Sequence, residues 1–283
     1  MKKLTGFLLI AAACCLAQPA TAQTSLKVLS YNILEGMVKD TTKGKIHFVA
    51  WVKALDPDVV ALQECNGFTQ KTLEELAHSW GHPYAVIVKE NGYPTGLTSR
   101  FPIANIRKVN ESMTHGFIMA RIEQYNFVVL HLNPHKHWKR RAEIAQVLKN
   151  IELQQDRKNW LIMGDFNSVS PLDKERLAQG GYQEKALAAA AKRPVLENLV
   201  NGKEIDFQVQ QSMLSAGFSD AGHAWDQREK ARTGKSAIAT NSRIDYIYLS
   251  RDLAKKIGTC RFIYDDFTAT HSDHKPIILE LKN

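Results

Sequence analysis

Six short apolar runs in this chain each carry, at or near one end, a residue that apolar surroundings do not tolerate alone. That repetition constrains the fold more than any other feature. Leu29-Ser30-Tyr31 leads into Asn32, Val59 to Leu62 into Gln63-Glu64, and Val128 to Leu130 into His131 and Asn133. Leu161 to Met163 leads into Gly164-Asp165-Phe166-Asn167, Asp245 lies within the run Arg243 to Tyr246, and Ser272-Asp273-His274 precedes Pro276 to Leu279. Burying one neutral polar group without a partner costs roughly 2–7 kcal/mol. The six ends are therefore expected to converge, satisfying one another, a metal or a substrate.

Strand-like runs dominate: Leu26 to Ile33, Val59 to Leu62, Tyr84 to Val88, Phe117 to Ile122, Phe127 to Leu132, Trp160 to Met163, Ile244 to Leu249, Arg261 to Tyr264 and Ile277 to Leu281. Helical spacing appears between them. Ile144, Val147, Leu148 and Ile151 mark one face of Lys139 to Gln155, and Lys43 to Leu55, Thr69 to Trp80 and the Ala-rich Leu172 to Ala191 read as further helices. Residues 222 to 240, poor in apolar content, read as a long exposed loop. Only Glu123 to Asn126 separates Phe117 to Ile122 from Phe127 to Leu132, so the pair is expected to be an antiparallel hairpin. These elements predict an α/β (α+β) layered domain of two packed, largely antiparallel sheets with helices outside. With 44% hydrophobic and 23% charged residues, disorder, collagen, a coiled coil and a disulfide-dense miniprotein are excluded. No repeat, low-complexity tract or linker divides the chain.

Residues 1–22 read as a signal peptide: Lys2 and Lys3, the apolar stretch Leu4 to Ala17, then Ala20-Thr21-Ala22 as a cleavage site. The expected product is a single domain, residues 23–283, in the periplasm or secreted. A lipoprotein is the rival, because Ala11-Ala12-Ala13-Cys14 weakly resembles a lipobox. No stretch reaches the ~20 apolar residues of a spanning helix. Cys65 and Cys260 would remain, either bridged or as two buried thiols. The formal charge of +8 falls to +6 without Lys2 and Lys3, scattered rather than clustered, a mild preference for anionic partners such as phosphate esters or nucleic acid.

The residue types select the chemistry. Carboxylate and amide oxygens are hard ligands suited to Mg²⁺ or Mn²⁺, and also to Ca²⁺, and no HExxH spacing points to zinc. No GxxxxGK[ST] loop and no GxSxG elbow appears, so nucleotide-fuelled transfer and serine hydrolysis lose support. Metal-assisted hydrolysis remains: an acidic ligand for the ion, an Asp to activate water, and His with Asn to stabilise an anionic centre.

The ordered set Asn32, Gln63-Glu64, Gly96-Leu97-Thr98-Ser99-Arg100, His131, Gly164-Asp165-Phe166-Asn167, Arg243-Ile244-Asp245-Tyr246 and Ser272-Asp273-His274 resembles the endonuclease/exonuclease/phosphatase superfamily. The resemblance spans residues 32 to 274, and implies a four-layer α-β-β-α sandwich with a site at one rim. It implies that Glu64 binds a divalent metal with Asn32 close by and Asp273 as a further ligand. Asp165 would deprotonate water, Asn167 would hold a phosphoryl oxygen, and His274, oriented by Asp245, would contact the phosphate. His131 would help the leaving oxygen depart. Asn133, Arg100 and Arg141 are expected to bind substrate, although Lys136 to Arg141 also suits the charged face of a helix. His135 and His137 read as loop residues, Tyr31, Phe166 and Tyr246 as packing, and Arg243 as a phosphate ligand or an ion-pair partner.

The expected activity is that of an exported metal-dependent phosphoesterase acting on a small ester, a lipid head group or nucleic acid. A nonspecific extracytoplasmic DNA or RNA endonuclease is the alternative within that class. Lipid ranks lower, because only Trp138 and Trp225 offer aromatic membrane contacts. A catalytically inactive phosphate-ester binding module is the alternative of another class. No stable protein partner is expected.

Overall fold

A computed structural model describes residues 25–282, and the leader expected at residues 1–22 lies outside them. Among the described residues two six-stranded sheets carry the fold. Strands are numbered in chain order. The first sheet runs β13 (Ile257–Phe262), β14 (Ile277–Lys282), β1 (Ser25–Asn32), β2 (Val59–Gln63), β4 (Gly96–Ser99), β3 (Tyr84–Ile87). The second runs β11 (Ser219–Asp220), β12 (Asp245–Leu249), β8 (Trp160–Asp165), β7 (Tyr125–His131), β6 (Phe117–Ile122), β5 (Ile103–Val109). A two-stranded ribbon joins β9 (Leu199–Val200) to β10 (Glu204–Ile205). Each large sheet contains one parallel pair, β1 with β2 and β7 with β8, among antiparallel neighbours. The expected β6–β7 hairpin is present and tighter than its sequence spacing suggested, with Glu123 in the left-handed region at φ 52°.

Side-chain alternation along each strand explains the layers, because successive residues face opposite sides of a sheet. Leu26 and Val28 of β1, Val59 and Ala61 of β2, Phe127 and Val129 of β7, Leu161 and Met163 of β8, and Ile247 and Leu249 of β12 fill the space between the sheets. Leu29, Tyr31, Val60 and Leu62 face the other way, into a core shared with helices Ile46–Leu55 and Gln70–Ser79. Val128, Leu130, Ile162, Tyr246 and Tyr248 do the same against helices His137–Glu152 and Gln208–Ser215. The four-layer α-β-β-α sandwich follows. The inward parity continues to the strand ends: Asn32, Gln63, His131, Asp165 and Asp245 occupy the same face as the apolar residues that close the sandwich. The polar ends are thus the last layer of the inter-sheet core.

Several expectations need correction. Residues 222 to 240 are not simply a loop: Ala221–Thr233 is a helix, started by the Asp220 side chain accepting from His223 N and ended by Gly234 at φ 74°. It packs on β12 and β13, and Ala221, Ala224 and Trp225 join the inter-sheet core. Leu172 to Ala191 is broken at Gly180-Gly181 into helices Lys174–Gln179 and Tyr182–Lys192. β13 begins four residues before the run read from sequence, and β5, an exposed edge strand without apolar alternation, was not expected. Cys65 and Cys260 are both buried free thiols.

Candidate active site

The parallel pairs deliver their polar ends to one rim, in register. Asn32 pairs with Gln63 in the first sheet, His131 with Asp165 in the second, and Asp245 with Asp165 from the other side. Among these groups, two side-chain hydrogen bonds cross between the sheets. Asn32 Nδ2 donates to Asp165 Oδ2 at 3.1 Å, and His274 Nδ1 meets Asp245 Oδ2 at 2.7 Å. The loop bearing His274 is tied to β1 by Ser272 Oγ donating to Asn32 O at 2.8 Å, and His274 N donates back to that hydroxyl.

Glu64 stands beside this junction, its backbone at φ 60°, with Oε1 accepting from Asn32 Nδ2 and Oε2 from Glu35 N. The chain after Asn32 wraps it in an unusual turn: Leu34, Glu35, Gly36 and Met37 all have positive φ, and Gly36 N donates to Glu64 O at 2.7 Å. Gly36 is required, since a Cβ there would lie 2.2 Å from Asn66 O. Non-glycine residues in that region cost of order 1–3 kcal/mol each, so their clustering around Glu64 marks a segment held by its surroundings. Asn167, also at positive φ, donates its backbone N–H to Asp165 Oδ1 at 2.7 Å and its Nδ2 to Leu132 O at 3.0 Å.

Burial and the neighbouring Asp245 push the Asp165 carboxyl up to about 7, against the pull of His274 and the bonds from Asn167 and Asn32. Burial opposes a charged His274, yet Asp245 and Asp165 outweigh it and raise the imidazole to about 10, so this ring is an imidazolium at neutral pH. His131 is the reverse: burial, then His115 and His274, hold it well below its ordinary value and therefore neutral. Its Nε2 lies 3.6 Å from Asp165 Oδ2.

Asp165, Asp245 and His274 each present a ligand atom within 4.8 Å of the others. With Glu64 and the exposed Asp273, whose Oδ1 lies 3.9 Å from His274 Nε2, four carboxylates gather around one imidazolium. Asp245 Oδ1 is buried with no hydrogen-bond partner among the described residues. Such an oxygen-rich, negatively charged donor set fits a hard divalent cation.

The structure brings together Asn32, Glu64, His131, Asp165, Asn167, Asp245, Asp273 and His274, and it gives protein partners to four residues expected to hold metal or substrate. Asn32, expected among the metal ligands, presents its N–H to the Glu64 and Asp165 carboxylates while its Oδ1 accepts from Leu34 N, so it links the carboxylates. Arg100 follows β4 at the opposite end, because Ser99 pairs with Val59 at the start of β2, and its guanidinium is engaged by Asp56 and Asp58. Arg141 is bound to Asp206, Nη2 to Oδ1 at 2.7 Å and Nε to Oδ1 at 3.1 Å. Asn133 Oδ1 accepts from His135 N and Lys136 N while its Nδ2 donates to Thr114 Oγ1, so its amide organises loops instead of facing substrate. Arg243 is a buried ion-pair partner of Asp173 and Asp220.

His115 was missed. Its ring stacks on His131 with centroids 4.2 Å apart, and Tyr93 meets it edge-on at 5.6 Å. It precedes β6, whose Phe117 pairs with Leu130, so it reaches the same rim from the start of a strand; attention to strand starts on antiparallel partners would have found it. A cleft of about 420 Å³, lined by Tyr182, Ser242, Asp245, His274 and Lys275, opens beside the junction. A larger one, about 730 Å³, lies at the far rim by Trp160 and Phe218 and contains none of these groups.

The sandwich and its rim define a class of phosphoester hydrolase, and the comparisons agree. A model of the Endonuclease/Exonuclease/phosphatase family matches residues 29–274, and the chain belongs to that family, whose members hydrolyse phosphoester bonds. Three solved structures share the fold. An AP endonuclease from Archaeoglobus fulgidus is 17% identical, with 90% of this chain and 98% of that one covered at TM-score 0.64. The 3' phosphatase NExo from Neisseria bound to product DNA hairpin is 16% identical over 91% of this chain and 100% of that one, TM-score 0.62. An endonuclease/exonuclease/phosphatase from Beutenbergia cavernae is 15% identical over 92% and 72%, TM-score 0.62. No curated protein matches the sequence.

Proposed function

We propose that the chain is an exported, divalent-metal-dependent phosphoesterase that hydrolyses phosphodiester bonds, and phosphomonoesters as a second class, by in-line attack of activated water. The cross-sheet junction of Asn32, Asp165, Asp245 and His274 beside Glu64 carries this reading. Glu64 would hold the cation, with Asp273 on its exposed side. A bound Mg²⁺ or Mn²⁺ supplies Lewis-acid polarisation of a phosphoryl oxygen. Asp165 takes the proton of the attacking water, and a carboxyl raised to about 7 suits a base working near neutral pH. The His274 imidazolium, oriented by Asp245, faces the charge that grows on the phosphoryl oxygens. Neutral His131 donates a hydrogen bond to the departing oxygen, and the second N–H of the Asn167 amide serves a phosphoryl oxygen.

A nonspecific extracytoplasmic DNA or RNA endonuclease is the second reading, favoured by the neighbour bound to a DNA hairpin and by the net basic charge. Export is supported by the leader features at residues 1–22. Purified protein, assayed side by side on a chromogenic phosphodiester, a phosphomonoester, plasmid DNA and sphingomyelin, should turn over at least one with Mg²⁺ or Mn²⁺ and stop with chelator. Glu64→Gln should raise the metal concentration for half-maximal rate at least ~10-fold. Stoichiometric binding without turnover would replace the enzyme with a binding module. N-terminal sequencing of the extracytoplasmic product should begin at Gln23; a product retaining residues 1–22 contradicts export by cleavage.

A further inference from the structure

The two imidazoles of the site are oriented by different means. His274 has the Asp245 carboxylate on its Nδ1. His131 has no such partner: its Nδ1 makes no hydrogen bond of regular geometry, although the Tyr93 backbone is close enough to influence the ring, and its Nε2 stands 3.6 Å from the nearest carboxylate oxygen. Its ring stacks on that of His115, whose own Nε2 also lacks a hydrogen-bond partner among the described residues. Both rings are buried, at 2% and 7% exposure. Something other than a hydrogen-bonded carboxylate must fix their orientation.

Behind the stack lies Glu143, a carboxylate at 0% exposure in helix His137–Glu152. An uncompensated charge at such a position is strongly destabilising, so its partners matter. Oε1 accepts from Thr114 N at 2.7 Å and Thr114 Oγ1 at 2.6 Å, and Oε2 accepts from Asn133 N at 2.8 Å. Asn133 Nδ2 closes the ring by donating to Thr114 Oγ1 at 3.0 Å. Thr114 immediately precedes His115, and Asn133 follows His131 by two residues. A single buried carboxylate therefore binds the backbone beside each stacked ring.

We propose that Glu143, Thr114 and Asn133 form a positioning latch that holds the His115–His131 stack, so that His131 meets the departing oxygen of the substrate at a fixed angle. The inference rests on the phosphoesterase reading, and it assigns Glu143, Thr114, Asn133 and His115 as positioning residues acting through His131. Thr114→Val removes the bridging hydroxyl at nearly constant volume and leaves the backbone N–H on Glu143. Thr114→Ser keeps the hydroxyl. Aryl phosphodiesters of graded leaving-group basicity, assayed with metal-loaded protein of verified melting temperature, separate a positioning effect from a folding one.

Thr114→Val should lower kcat roughly 10-fold with little change in KM. The loss should grow as the leaving group becomes more basic, and Thr114→Ser should restore it. In a His131→Ala background the Thr114→Val substitution should have no further effect, because the latch acts only through that ring. Wild-type kcat in Thr114→Val across the series, or an equal loss with and without His131, overturns the latch. A wild-type protein that hydrolyses none of the esters overturns the phosphoesterase reading and the latch with it, whereas an active one unmoved by Thr114→Val overturns the latch alone.

Discussion

The opposite charge states of the two site histidines follow from what surrounds each ring. Asp245 and Asp165 overcome burial at His274, while at His131 burial is reinforced by two imidazole neighbours. Removing the first of these carboxylates should reverse the outcome. In Asp245→Asn the His274 imidazole should titrate well below the value near 10, shifting the alkaline limb of activity to lower pH by more than one unit, as NMR titration and the kcat/KM profile would read. An unchanged limb would mean that Asp165 alone holds the proton. The raised folded value also fixes the sign for stability: the contribution is complete below the unfolded value of ~6.5 and disappears as pH climbs toward 10. The identities of these groups were legible because each interrupts an apolar run. Their orientations were not: Asn32 gives away its oxygen to a turn two residues on, and Arg100 and Arg141 find acidic partners distant in sequence, which spacing does not reveal.

At the scale of elements, strand β8 shows how backbone chemistry aims a side chain. Gly164 sits at φ 138°, and a Cβ there would come within 1.9 Å of Leu130 O on β7. Only glycine lets the two parallel strands stay paired at the point where Asp165 turns toward the other sheet. Gly164→Ala should cost on the order of 3 kcal/mol in denaturant unfolding and displace Asp165, whereas Gly202→Ala, at φ 68° with nothing nearby, should cost about 1 kcal/mol and leave activity intact. Equal costs at both positions would contradict the close approach. The strands that build the site were legible because their two faces are both apolar. Helix Ala221–Thr233 was not, since its few apolar residues give no helix-face stripe, yet Asp220 and Gly234 are ordinary start and stop signals around it. Its burial depends on closing the sandwich edge between β12 and β13, a tertiary demand that local pattern does not carry.

Across the whole molecule, the sheets meet through a largely apolar interior whose charged and amide-bearing strand ends converge at the active rim, so the site and the fold share their contacts. Three histidines are buried neutral: His82, bonded to Thr98 Oγ1 and Pro57 O, and the stacked pair. Burial lowers His82 and His115 to about 4 and holds His131 well below its ordinary value. The unfolded chain then binds more protons than the folded one between pH 6.5 and 4, so stability should fall with acidification through that window, on the order of 3 kcal/mol for each of His82 and His115 at its lower end. His82→Gln should flatten the slope in urea melts, and an unchanged slope would place the acid sensitivity elsewhere. The central claim is that six distant stretches of chain assemble one hydrolytic centre, and the rate of phosphodiester cleavage by Asp165→Asn against the wild type tests it most directly. With Mg²⁺ or Mn²⁺ present and both proteins folded to the same melting temperature within a few degrees, Asp165→Asn should lose activity by ~10²–10⁴-fold. Cleavage at the wild-type rate would contradict the account.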